Sequence, residues 1–338
     1  MNVPILEIKN VDKHYPIREG FFNKQVGLKQ VVNCININIE DGETVGLVGE
    51  SGCGKSVLLR TIIGLEPPTA GKVLFKGNDI HKMDKAGLKE FRKKVQMIFQ
   101  NAFTALHPRF TIEQSLEEVL ILTGMKDSKK REQTIIETLK KVGLDPIYRF
   151  RLPEQLSGGQ CQRAIIARAL VEQPEIILAD EPISSLDVSL QAQVLNLLMD
   201  LQDEYKMSML FVAHDLAVVR QMASKIMIMY AGTILESGSS WEIYNNPQHP
   251  YTKVLLKSAP SISKGINEEG FNLDIKVGDT PSPDSLPAGC LFITRCMYSE
   301  DRCFCERPTP QMVAPGHYVS CHLVKVDEHL VNLNATSN

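Results

Sequence analysis

The sequence predicts an α/β fold built on a mainly parallel sheet. Three observations carry this expectation. Short apolar runs, TVGLV at 44–48, Glu175 to Ala179 and MLFVA at 209–213, have the length and continuity of strands buried on both faces. Segments with helical spacing lie between them, so strand and helix alternate along the chain. A glycine-rich loop, Gly49 to Ser56, follows the first of these runs and opens a helical segment.

In chain order, residues 3 to 48 read as strands. Ile35, Ile37 and Ile39 alternate with polar residues, and the Asp41-Gly42 turn leads into TVGLV. VLLRTIIG then reads as a buried helix stopped at Gly64, with Pro67 and Pro68 beyond. Residues 72 to 80 suggest a short strand pair. Residues 111 to 142 carry helical spacing and the solvated run KDSKKRE. Ser157 opens a helix through about Leu170, and 188–204 form an amphipathic helix through Val194, Leu197, Leu198 and Leu201. From Pro260 to Pro287 the chain turns rich in Gly, Ser, Pro and Asp, as an extended connector would.

The 338 residues suit one large domain with an appendix, or two modest domains. A composition of 43% hydrophobic and 23% charged residues fits a globular protein with a sizeable core. The net charge of -3 gives no electrostatic sign of nucleic-acid binding, and none is expected. The start, MNVPILEIKN, lacks the basic and apolar regions of a secretory signal. No stretch approaches the roughly 18 apolar residues of a membrane span. The chain is expected in the cytoplasm, reaching a membrane only through partners.

Gly49-Glu50-Ser51-Gly52-Cys53-Gly54-Lys55-Ser56 fits the phosphate-loop pattern G-x-x-x-x-G-K-[ST]. Its glycines let backbone amides wrap phosphate oxygens, and a helix N-terminus adds positive partial charge. Lys55 can reach the β and γ phosphates, and the Ser56 hydroxyl can ligate Mg²⁺. Cys53 is expected to matter through its backbone more than its thiol, although a helix N-terminus favours a reactive thiolate. Asp180 and Glu181 end an apolar strand, the sheet edge where ligands bind. Asp180 is the natural Mg²⁺ partner, and Glu181 is placed to deprotonate the attacking water. His214 ends the next buried strand, as either a satisfied core residue or a group beside the γ-phosphate.

Leu156-Ser157-Gly158-Gly159-Gln160, lying between the phosphate loop and the acidic strand end, resembles the signature of ABC ATPases. Other marks follow the same pattern. Tyr15 stands where an aromatic residue stacks on adenine, and Gln100 matches the Q-loop, a second Mg²⁺ contact. Ser185-Leu186-Asp187 resembles the D-loop, and His214 the switch histidine. The resemblance implies an ABC cassette: a RecA-like parallel core, an antiparallel N-terminal β subdomain and a helical subdomain at about 101–156, all within residues 1–258. It also implies that each ATP is shared with the signature of a partner subunit.

HPYTKVLL, GDTPSP and GC-x-F-x-x-RC resemble the oligopeptide/dipeptide permease branch, and KHYPIREGFF and FQNAFTALHPR its F-type subunits. Residues 259–338 then form a small Cys-rich C-terminal extension. The implied partners are a paralogous D-type ATP-binding subunit or a second copy of this chain, two membrane permease subunits and an extracytoplasmic binding protein. The implied place is the cytoplasmic face of the membrane. A nickel or metal-chelate importer of the same branch is the nearest alternative. A soluble, non-transport ABC ATPase is disfavoured by the single cassette and the lack of heptads.

Three positions depart from the usual pattern. Val57 replaces a common threonine, and Asn101 a common aspartate. Cys161 stands where a polar residue is usual, and is expected to weaken contacts near the partner's nucleotide. Five of the eight cysteines cluster near the end. Cys290, Cys296, Cys303 and Cys321 can hold zinc or, as the resemblance implies, a [4Fe-4S] cluster, or stay as unligated thiols, with Cys305 competing for the third place.

Overall fold

A computed structural model describes residues 3–20, 24–184, 186–258, 278 and 280–324 of the chain. Most of the expected connector from Pro260 to Pro287, and D-loop residue Ser185, lie outside the described residues.

The amino-terminal strands β1 (Leu6–Glu19), β2 (Lys24–Ile39), β4 (Ala70–Phe75) and β5 (Asn78–Asp79) form an antiparallel sheet in the order β2-β1-β4-β5. The larger sheet contains β3 (Thr44–Val48), β6 (Val95–Ile98), β7 (Ile176–Asp180), β8 (Ser208–Ala213), β9 (Lys225–Tyr230), β10 (Thr233–Ser239), β11 (Gln311–Ala314) and β12 (His317–Val319). Its order is β11-β12-β10-β9-β3-β8-β7-β6. The strands from β9 to β6 run parallel, as expected. At the other end β10, β12 and β11 pair antiparallel, so the sheet is mixed.

Both faces of the parallel part are buried, and the pleat explains how. Leu47, Leu178, Leu210 and Val212 join one core with β1, β2 and the first helix, α1 (Lys55–Ile62). Their neighbours Val48, Ile177, Ala179 and Phe211 join a second core. That core is closed by α4 (Ile112–Thr123), α5 (Ser128–Lys141), α6 (Gly158–Leu170) and α7 (Val188–Tyr205). A continuous apolar strand is therefore two alternating faces read together.

Helix ends follow local chemistry. Thr111 and Gln114 form a reciprocal capping box before α4, and Gly124 ends that helix at φ 108°. Ser157 and Gln160 form another box before α6. The remaining helices are α2 (Lys85–Lys94), α3 (Ala102–Ala105), α8 (Leu216–Met222), α9 (Ser240–Asn245), α10 (Pro250–Ser258) and α11 (Arg302–Cys305). Among the described residues, no helix is long and apolar enough to cross a membrane.

Candidate nucleotide site

The phosphate loop joins β3 to α1, in the strand-loop-helix order that the motif requires. Gly54 adopts φ 109°, and a methyl group there would lie 2.5 Å from the Val31 carbonyl oxygen. Lys55 is only 4% exposed. Its Nζ donates to the Gly49 carbonyl at 2.6 Å and the Glu50 carbonyl at 3.0 Å, so the ammonium lies inside the loop. Cys53 is buried, and burial pushes its thiol up despite nearby Lys55. Burial therefore favours the backbone role of this residue over a reactive thiolate.

β6, β7 and β8 lie side by side, so the residues just past their carboxyl ends converge. Gln100 follows β6, Glu181 follows β7 and His214 follows β8. Gln100 Nε2 donates to Glu181 Oε2 at 3.0 Å, and His214 Nδ1 lies 3.4 Å from the same oxygen. Lys55 Nζ is 3.5 Å from the other, Oε1. With 58% of its side chain exposed, His214 is not a core histidine.

Glu181 holds φ 44°, an uncommon conformation for a residue with a side chain. Its backbone N–H donates to Val212 at 3.0 Å, while its carbonyl accepts from the Ser184 amide and hydroxyl at 3.2 and 3.1 Å. These bonds hold a turn that costs of order 1–3 kcal/mol. Asp180 is buried, and burial raises its carboxyl, opposed by the neighbouring Ser56 hydroxyl. Asp180 Oδ1 has no protein partner. A buried carboxylate oxygen left open beside a hydroxyl suits the ligation of a hard cation, so Asp180 and Ser56 fit Mg²⁺.

Tyr15 lies on β1, and its hydroxyl donates to Glu66. Burial, then that bond, pushes the phenol up to about 12. Glu66 also meets Arg60 Nε at 3.0 Å and Lys13 Nζ at 3.4 Å, which fixes the ring at the margin of α1. Val57 packs partly buried in the same core.

The segment expected as the signature lies against Leu186, of the expected D-loop, and against α7. A methyl on Gly158 would lie 3.8 Å from Leu186, and one on Gly159 would lie 3.1 Å from Leu190. Asp187 caps α7, accepting from Leu190 N–H at 3.0 Å. Asn101 caps α3 by accepting from the amides of Phe103 and Thr104, as an aspartate would. The expectation for Cys161 is corrected. It is fully buried, and burial pushes its thiol up to about 11, so it packs inside α6 and does not face a neighbouring nucleotide.

A profile of the ABC transporter family matches residues 32–184. A profile of the oligopeptide/dipeptide transporter C-terminal region matches residues 235–303. An oligopeptide transport ATP-binding protein of Bacillus subtilis is 44% identical over 94% of this chain and 97% of its own. The chain belongs to the ABC transporter ATP-binding family. A dipeptide transport ATP-binding protein of Escherichia coli is 40% identical over 96% of both chains. Among solved structures, a dimeric bacterial ABC transporter cassette matches at a TM-score of 0.62 with 32% identity, covering 70% of this chain and 98% of that one.

Beyond the core cassette, this ABC protein gathers its cysteines. Cys290, Cys296, Cys303 and Cys321 line one small cavity with His249, while Cys305 is exposed on α11. Burial raises the Cys290 thiol and pushes that of Cys321 up to about 12. Burial holds His249 down at about 4, and its Nε2 has no partner. The cavity holds about 10 Å³, the room of one water. Among the described residues, no three His, Cys, Asp or Glu side chains are set to hold a metal ion. As they stand, these side chains form neither a zinc site nor an iron–sulfur site.

Three residues of this ABC protein were not anticipated as neighbours of the phosphate loop. Arg295, Thr280 and Tyr251 all reach phosphate-loop residue Glu50. Arg295 and Tyr251 stand within the quoted segments GC-x-F-x-x-RC and HPYTKVLL. Spacing within a segment carries no information about a partner more than 200 residues away.

Proposed function

We propose that this chain is the ATP-hydrolysing subunit of an ABC importer that energises peptide uptake. One observation carries the chemical part: Lys55, Gln100 and His214 meet around the Glu181 carboxylate at the edge of a parallel sheet. The peptide part draws on relatives named for oligopeptide and dipeptide transport, and on the matched C-terminal region, which favours peptide over nickel.

In this reading, the amides of Gly49 to Ser56 and the Lys55 ammonium hold the β and γ phosphates, and Tyr15 stacks on adenine. Ser56, Gln100 and Asp180 hold the Mg²⁺ that accompanies ATP. Glu181 accepts a proton from the attacking water, and His214 steadies the γ-phosphate while ADP and phosphate form. Leu156 to Gln160, with the D-loop, address ATP held by a partner: a D-type paralogue, or a second copy of this chain. The cassette occupies 1–258, with the helical subdomain at 101–156 as the contact for two membrane permease subunits, and the extension occupies 259–338. A separate extracytoplasmic protein presents the peptide, and the ATPase works at the cytoplasmic face.

Glu181→Gln should lower turnover by about 10²- to 10⁴-fold with ATP binding retained. Lys55→Ala should lose nucleotide affinity. Wild-type turnover in the first variant, or undiminished binding in the second, removes these roles.

We also propose that Cys290, Cys296, Cys303 and Cys321 hold an iron–sulfur cluster, supported by their lining of one cavity. Anaerobically purified protein should contain iron and absorb visible light, and Cys321→Ser should lose both. Colourless, iron-free protein rules the cluster out.

A further inference from the structure

Glu50 places a carboxylate in a loop that gathers polyanions. Left free, that charge would oppose the phosphates, and the opposition strengthens where water is scarce. The structure turns the side chain outward. The Glu50 carbonyl accepts from Lys55 at 3.0 Å, inside the loop, while its N–H donates to the Tyr251 hydroxyl at 3.1 Å. Its carboxylate faces the C-terminal extension. There one nitrogen of Arg295, Nη1, spans both oxygens at 2.9 and 2.8 Å, and the Thr280 hydroxyl donates at 2.7 Å.

Arg295 is itself held. Its side chain is 14% exposed, with the guanidinium 5.6 Å from the ring centre of Phe292 and 5.9 Å from that of Tyr230. Those rings pack on each other and on Tyr251. Arg295 ends the turn at 291–295, directly before Cys296.

We infer that Arg295 is a positioning residue for nucleotide binding: it neutralises Glu50 and holds it away from the phosphates, so the extension completes the phosphate loop. It acts through Glu50 and does not touch ATP. The inference rests on reading this loop as the ATP site.

The test is equilibrium ATP binding to the full chain as wild type, Arg295→Ala, Glu50→Gln and the double variant. Arg295→Ala should raise the Kd about tenfold, whereas turnover at saturating ATP changes by less than about twofold. Arg295→Lys, which keeps the charge, should recover most of the affinity. In the Glu50→Gln background there is no carboxylate to neutralise, so adding Arg295→Ala should change the Kd by less than about threefold.

A wild-type Kd in Arg295→Ala overturns the inference. So does an equal loss in the Glu50 and Glu50→Gln backgrounds, because Arg295 would then not act through the carboxylate. Should Arg295→Ala fail to fold, Thr280→Val removes a single bond to the same carboxylate. It should raise the Kd about two- to threefold, and an unchanged value overturns the inference. Lys55→Ala separates the two readings. Equal ATP binding by Lys55→Ala and wild type defeats the site assignment, whereas weak binding by Lys55→Ala beside intact Arg295→Ala defeats only the role of Arg295.

Discussion

Gly49 stands where β9 presses on the phosphate loop. A methyl group there would lie 2.2 Å from the Met229 carbonyl oxygen and 2.8 Å from Cys53 Sγ. The first clash is with backbone in a central strand, which cannot swing aside. Gly49→Ala should therefore cost about 1–3 kcal/mol and weaken ATP binding. Thermal melts and nucleotide titration check this, and unchanged values in both would show that the close approach is dispensable. At this scale the motif residues were readable because their chemistry is local. The left-handed turn at Glu181 was not. It depends on a hydrogen bond from the Glu181 N–H to Val212 and others from Ser184 to the Glu181 carbonyl, and nothing in the Asp-Glu pair announces it.

Elements whose ends carry their own chemistry were the readable ones. Ser157 and Gln160 announce the start of α6, and the apolar runs of β3, β7 and β8 announce buried strands. The pair α2 and β6 went unread. Within α2 only Phe91 is buried, so the helix has almost no apolar stripe, and it runs into β6 at Val95 without Gly or Pro between. The hairpin of β9 and β10 was also missed. Its turn is Ala231-Gly232, with both residues at positive φ (44° and 84°). Alanine there replaces the asparagine or aspartate that usually signals this geometry. The inward direction of Cys161 depends on helical phase against α7 and its neighbours, and so falls to packing.

Across the whole molecule, the C-terminal extension returns to the cassette at distant points. β12 joins the sheet beside β10, and the fully buried His317 meets Glu236 at 2.8 Å and Glu242 at 3.3 Å. The cysteine spacing raised only the expectation of a metal, and no spacing could show that the same segment pairs with residues 236 and 50. Burial alone would raise the Glu236 carboxyl. Bonds from His317 and the amides of Gln248 and His249 outweigh burial and hold it below the ordinary value of 4.5. A lowered folded-state value means stability that is complete above the unfolded value and is lost as pH falls through the folded one. The extension should therefore stay docked through neutral pH and loosen only below about pH 4.5. Glu236→Gln should lower the melting temperature at pH 7 and flatten this acid limb. An unchanged acid limb would remove Glu236 from that role.

The strand that feeds the phosphate loop has a consequence for synthesis. β3 is complete at residue 48, yet its two sheet partners are residues 209–213 and 225–228. During translation this apolar strand waits for some 160 further residues before either neighbour exists. The antiparallel sheet of β1, β2 and β4 can form early, because its partners lie close in sequence. The nucleotide pocket cannot, and an emerging chain carries its glycine loop unformed until the second half of the protein has left the ribosome.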